Sequence, residues 1–119
     1  MQLKDKHEKE RYDLYLEIAT VERKEDELSL LSRNYQKNLE EFFDQFSYLS
    51  NEIETLLYSS PTNQQSIQEL QDNMDLNQAV NRYVDHQLDE VQQVKQRLMN
   101  TLEEERERLV KERNNLPWE

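Results

Sequence analysis

The sequence predicts an all-α chain: an antiparallel two-helix hairpin, coiled-coil-like, that a partner completes into a bundle. Three observations carry this. The 119 residues include no glycine and only two prolines, Pro61 and Pro117. Apolar residues recur at alternating spacings of four and three on both sides of mid-chain. One short polar segment containing Pro61 separates the two runs. Without glycine a chain has no cheap left-handed turn or bulge. Sandwiches, Rossmann units and phosphate-cradling loops are thereby excluded, which leaves long helices that bury a narrow stripe. At this length the chain is one domain at most: helix one over about 5–58, a loop at 59–66 and helix two over about 66–116.

Helix one follows from an unbroken repeat: Leu14, Ile18, Val21, Glu25, Leu28, Ser32, Tyr35, Leu39, Phe42, Phe46, Leu49, Ile53 and Leu56. Only Glu25 and Ser32 interrupt its apolar character, and a heptad this long predicts a coiled-coil seam. "SSPTNQQS", residues 59–66, ends the helix, because Pro61 disfavours helix at Ser60 and has no N–H to donate. Two restarts are open. Ser60 is an N-cap if Pro61 takes the first helical position. Ser66, with Glu69 three residues on, matches a capping box, and the restart at Ser66 is preferred.

Helix two carries a looser seam: Ile67, Leu70, Met74, Asn77, Asn81, Val84, Leu88, Val91, Lys95, Leu98, Leu102, Glu105, Leu109, Glu112 and Leu116, with Pro117 as the stop. The arms on either side of the loop are nearly equal in length, as an antiparallel hairpin requires.

Such a pair buries little area and is marginal alone, and apolar residues are left over. Phe43 and Leu57 flank the seam of helix one. Leu76, Val80, Tyr83 and Val94 form a second stripe on helix two. Reflected through the loop, residue 43 faces about residue 81, so the two flanks adjoin. These six residues are the predicted partner-binding surface, with Phe42 and Phe46 shaping the seam beneath. The alternative is that the second seam drifts around Asn77 and Asn81, which makes Leu76 and Val80 core. Polar seam residues suit either view, since they fix register and partner number at a cost in stability.

Charge divides along the chain. The net charge is −11, and between Lys37 and Arg82 there are eight acids and no base. That acidity opposes nucleic acid and anionic lipid. It favours a protein partner with basic residues around an apolar groove, or it serves only to keep that half soluble. The rest of the chain mixes both signs, as in "LEEERERLVKERNN", where i,i+4 pairs support an exposed helix.

Catalytic chemistry is missing from the sequence. There is no cysteine, hence no thiolate nucleophile or disulfide, which fits a reducing cytoplasm. No serine has the glycine-flanked elbow of a hydrolase. His86 pairs only with Glu90 on its face and His7 lies near the terminus, whereas helical-bundle metal sites repeat Glu-x-x-His on separate helices. Neither an enzyme, nor a metal, nor a cofactor is expected. The charged start "MQLKDKHEKER" has no apolar core of a signal peptide, and no apolar run reaches the ~20 residues of a membrane span.

The acidic all-helical hairpin, the broken mid-chain loop and a second helix ending "EEERERLVKERNNLPWE" together resemble a known family. It comprises the small α-helical accessory proteins associated with LXG toxins of Gram-positive type VII secretion systems, which are WXG-like hairpins. The resemblance spans most of the chain and rests on pattern. It implies a targeting factor or chaperone that binds the helical N-terminal domain of an LXG toxin, alone or beside a second small helical accessory protein. It also implies a cytoplasmic location, with or without export alongside the toxin. Two features depart from the pattern. The loop has no Trp-x-Gly, and the Tyr-x-x-x-Asp/Glu export signal is missing from helix two. The one match, Tyr48 to Glu52, falls on helix one at a solvent-side position and reads as an ordinary exposed tyrosine. A self-associating coiled coil and a helical escort of another secretion or flagellar apparatus are the rival readings.

Overall fold

The computed structural model describes residues 6–117. Trp118, whose packing the sequence leaves open, lies outside the described residues. Two α-helices, α1 (Glu8–Ser59) and α2 (Gln64–Asn115), form an antiparallel hairpin. No strand occurs among the described residues.

The turn shows how a glycine-free chain closes a hairpin. No described residue has a positive φ, so the left-handed cap that commonly ends a helix is not used. Instead the Ser59 and Ser60 hydroxyls both donate to the Leu56 carbonyl, at 2.9 and 3.0 Å, and satisfy an orphan acceptor of the last turn. The restart differs from both sequence expectations. Asn63, not Ser60 or Ser66, caps α2. Its Oδ1 accepts from the Ser66 N–H at 2.8 Å, and the Ser66 hydroxyl accepts from the Asn63 N–H at 3.0 Å. This is a reciprocal capping box with serine in the place of glutamate. Glu69 instead takes a hydrogen bond from Gln65. We expect Asn63→Ala to cost about 1 kcal/mol, read by urea denaturation, and Asn63→Asp to restore it. Equal stability of all three proteins would show that the cap does not hold the turn.

The chain divides into two compact units, one drawn from Met1–Ser32 and Gln93–Glu119 and the other from Arg33–Gln92. In the first, heptad and burial agree along α1 and at Leu102, Leu109 and Leu116 of α2. Ile18, Val21 and Leu109 form a buried cluster, with Leu14, Leu102 and Val110 packed against it. Glu25, the charge that interrupts the first heptad, is half-buried and pairs with Arg106 Nε at 3.5 Å. Arg11 closes this unit. Its Nη2 donates to the Leu116 and Pro117 carbonyls at 3.2 and 2.7 Å, placing a cation where the dipole of α2 ends negative.

The Arg33–Gln92 unit is built differently. Its buried residues are Leu39 and Val84, together with three polar ones, Ser50, Ser66 and Asn73. Ser50 and Asn73 pair across the two helices: the serine hydroxyl donates to Asn73 Oδ1, and Asn73 Nδ2 donates to the Ser50 carbonyl, each at 3.2 Å. Tyr35 bonds Gln87 at 3.2 Å and Gln36 bonds Gln92 at 3.4 Å. Polar side chains therefore make many of the cross-helix contacts in this unit.

Candidate partner-binding surface

The seam predicted for this unit holds at Leu39, Phe46, Leu70, Asn77, Val84, Leu88 and Val91, which are covered, and is corrected elsewhere on both helices, Tyr35 among the exposed. On α1, Phe42, Leu49, Ile53 and Leu56 are exposed, Leu49 at 56% and Leu56 at 67%. The residues that follow them, Phe43, Ser50, Glu54 and Leu57, are the buried or half-buried ones. On α2 the predicted Ile67, Met74 and Asn81 are exposed, and Ser66, Asn73 and Val80 are covered instead. Further along α2, Met99, Arg106 and Arg113 are half-buried in place of Leu98, Glu105 and Glu112.

The physical reason is a mismatch of periods. A strict heptad needs 3.5 residues per turn, and an unstrained α-helix drifts about 20° per heptad from it. The covered line follows an 11-residue spacing instead: Val21, Ser32, Phe43 and Glu54 on α1, and Asn73, Val84, Lys95 and Arg106 on α2. At 3.67 residues per turn that spacing stays close to the natural helical twist.

Three of the six predicted surface residues, Phe43, Leu57 and Val80, are thus half-buried in the hairpin seam and are not free flanks. For Val80 the drift alternative describes the placement. Leu76, which that alternative also made core, is exposed, as are Tyr83 and Val94. The first five of the six belong to the Arg33–Gln92 unit, and Val94 belongs to the other.

Which exposed residues share a side follows from helix geometry. One step along an α-helix turns a side chain by about 100°. In an antiparallel pair, one step in the same chain direction from the seam leads to the same side on both helices. The groove lined by Ser47 and Asn51 of α1 and Gln78 and Asn81 of α2 displays this. Each of the four follows a covered residue by one position. The opposite side holds the residues that precede covered positions: Phe42, Leu49, Ile53 and Leu56 on α1, and Leu76 and Tyr83 on α2. The Phe42 ring stacks on that of Phe46, centroids 6.4 Å apart. One side of this unit is therefore a groove lined by Ser47, Asn51, Asn77, Gln78 and Asn81 together with Phe43, and the other an apolar face.

The apolar face was legible in the sequence as a heptad but was assigned to the wrong duty. The heptad puts Phe42, Leu49, Ile53 and Leu56 inside the hairpin and Phe43 and Leu57 outside it, the reverse of what the structure shows. The polar residues at Ser50 and Asn73, at positions a purely intramolecular seam would fill with apolar groups, carried the signal that separates the two lines.

Other chemistry is sparse. Among the described residues no group of three or more His, Cys, Asp or Glu is placed to hold a metal ion. His86 Nε2 lies 3.2 Å from Glu90 Oε1 on an exposed face, and Tyr48 is exposed. Among the described residues no helix is long and apolar enough to cross a membrane. The chain matches no known protein family, no curated protein and no solved structure.

Proposed function

We propose that the chain is a non-enzymatic docking protein, a targeting factor or chaperone whose hairpin packs against the helical N-terminal domain of an LXG-type toxin and promotes its type VII export. The observation that carries the docking function is the inversion in the Arg33–Gln92 unit: Ser50 and Asn73 inside, Phe42, Leu49, Ile53 and Leu56 outside. A water-facing protein gains nothing from that arrangement, since burying each large apolar side chain is worth about 1.5–3 kcal/mol. A bundle in which other helices cover the face recovers the gain. The toxin as partner, and a cytoplasmic location before export, come from the resemblance in the helical pattern and the C-terminal segment.

A tagged pull-down from the native cell, carried through gel filtration into mass spectrometry, tests this. We expect near-stoichiometric recovery of one large protein with an LXG-type helical N-terminus. Recovery of the chain alone, or with a partner lacking that domain, overturns the toxin assignment.

A further inference from the structure

We infer that the apolar face of the Arg33–Gln92 unit, formed by Phe42, Leu49, Ile53 and Leu56 of α1 with Leu76 and Tyr83 of α2, docks an amphipathic helix whose flanking positions are basic. The inference rests on the docking function proposed above, but not on the identity of the toxin.

Periodicity supplies the first argument. Phe42, half-buried Phe46, Leu49, Ile53 and Leu56 keep a 4,3 spacing along α1, one position before the equally spaced line Phe43, Ser47, Ser50, Glu54 and Leu57 that α1 turns toward α2. A 3.5-residue repeat presents a continuous edge to a helix that winds around it in a left-handed coiled coil. Two seams side by side on one helix offer themselves to two different neighbours. The one that α2 leaves unused is spaced for a helix.

Charge selects the occupant. Glu69 and Asp72 precede the covered Leu70 and Asn73 by one position, so they lie on the same side as the apolar face. Glu52 sits three and four positions from Leu49 and Leu56 on α1. All three acids are exposed. Glu69 and Asp72 accept hydrogen bonds from the neutral Gln65 and Gln68, which leaves their charge in place. No lysine or arginine occurs between Lys37 and Arg82 to offset it. A second copy docked face to face would bring the same acids together, and like charges across an interface cost affinity. Lysine or arginine beside the apolar seam of a partner helix meets them with opposite charge.

Three synthetic peptides of about four heptads test this against the full chain by fluorescence anisotropy. The first has a leucine seam flanked by lysine, the second the same seam flanked by glutamate, and the third the first peptide's composition in scrambled order. The first is expected to bind at least about tenfold more tightly than either of the others at low salt, the margin narrowing as ions screen the flanks. Ile53→Glu, and separately Tyr83→Glu, should weaken the first peptide about tenfold, with helical content unchanged by circular dichroism. Asn81→Glu adds the same charge on the polar groove side and should weaken it little. Binding of the scrambled or acidic peptide as tight as that of the first overturns the inference. So does a chain that sediments as a dimer and is released to monomer by Ile53→Glu. A toxin-free pull-down together with selective peptide binding removes the toxin and leaves the surface; the reverse pair of results removes the surface and leaves the toxin.

Discussion

Leu109→Ala is expected to lower the free energy of unfolding by about 3 kcal/mol, within the range for deleting a buried leucine side chain. Leu109 is the most deeply covered large side chain, at 1% exposure, and it sits between Ile18 and Val21 of the opposite helix. The loss combines the transfer energy of the removed carbons with the cavity left between two helices that have no third layer to collapse inward. Small domains hold only about 5–15 kcal/mol in total, and a two-helix pair belongs near the bottom of that range. One truncation therefore removes a large share of what keeps the hairpin closed. Leu30→Ala is the control, because Leu30 is 56% exposed on the same helix as Ile18, and it should cost no more than about 0.5 kcal/mol. Urea denaturation followed by circular dichroism reads both. Similar midpoints for the two variants would mean that the cluster around Leu109 does not hold the helices together.

The contrast between the two units explains what could be read from the sequence. The all-α hairpin was legible because its causes are local: no glycine, one breaker at Pro61, and apolar residues at helical spacing. The seam of the first unit was legible on α1, and at every second position on α2, where one set of residues satisfies both the heptad and burial, while Leu98, Glu105 and Glu112 are exposed. Leu14, Ile18, Val21 and Leu28 on α1 and Leu102, Leu109 and Leu116 on α2 are predicted and covered. In the Arg33–Gln92 unit the two criteria agree at residues such as Leu39 and Val84 and separate on either side of the turn. Leu49 is apolar and exposed, while its neighbour Ser50 is polar and 2% exposed. Hydrophobic pattern reports the surface a chain hides in its working state, and here it marks a face that α2 does not cover. Burial within a single chain reports only what its own helices reach. The cap at Asn63 escaped for a smaller reason: a serine hydroxyl can return the N-cap hydrogen bond as glutamate does, and a search for Ser-x-x-Glu passes over Asn-x-x-Ser.

Asn73→Ala alone is expected to cost about 1–2 kcal/mol, whereas Ser50→Ala with Asn73→Leu should leave stability unchanged or raise it by about 1 kcal/mol. The asymmetry is general: removing one partner strands a buried polar group, while replacing both by apolar groups strands none. The double variant is nevertheless expected to lose what the pair provides. Ser50 and Asn73 exchange two hydrogen bonds across the hairpin, and any slip of α2 along α1 breaks both in a nearly dry site. An apolar pair tolerates such slips, and a polar residue in a helical seam is a recognised device for fixing register and helix number. The pair lies beneath the face that carries Leu49 and Ile53, so its register sets how the α1 and α2 halves of that face line up. Spin labels on cysteines introduced at exposed Gln45 and Gln78 are free of background, since the chain has no cysteine of its own. They should report one narrow distance in the native background and a broadened or divided one in the double variant, with oligomers appearing in sedimentation. A double variant that is more stable, monomeric and equally narrow would reduce the pair to an ordinary contact. A slipped one would mean that the chain sacrifices stability inside the hairpin to hold its outer face in one shape.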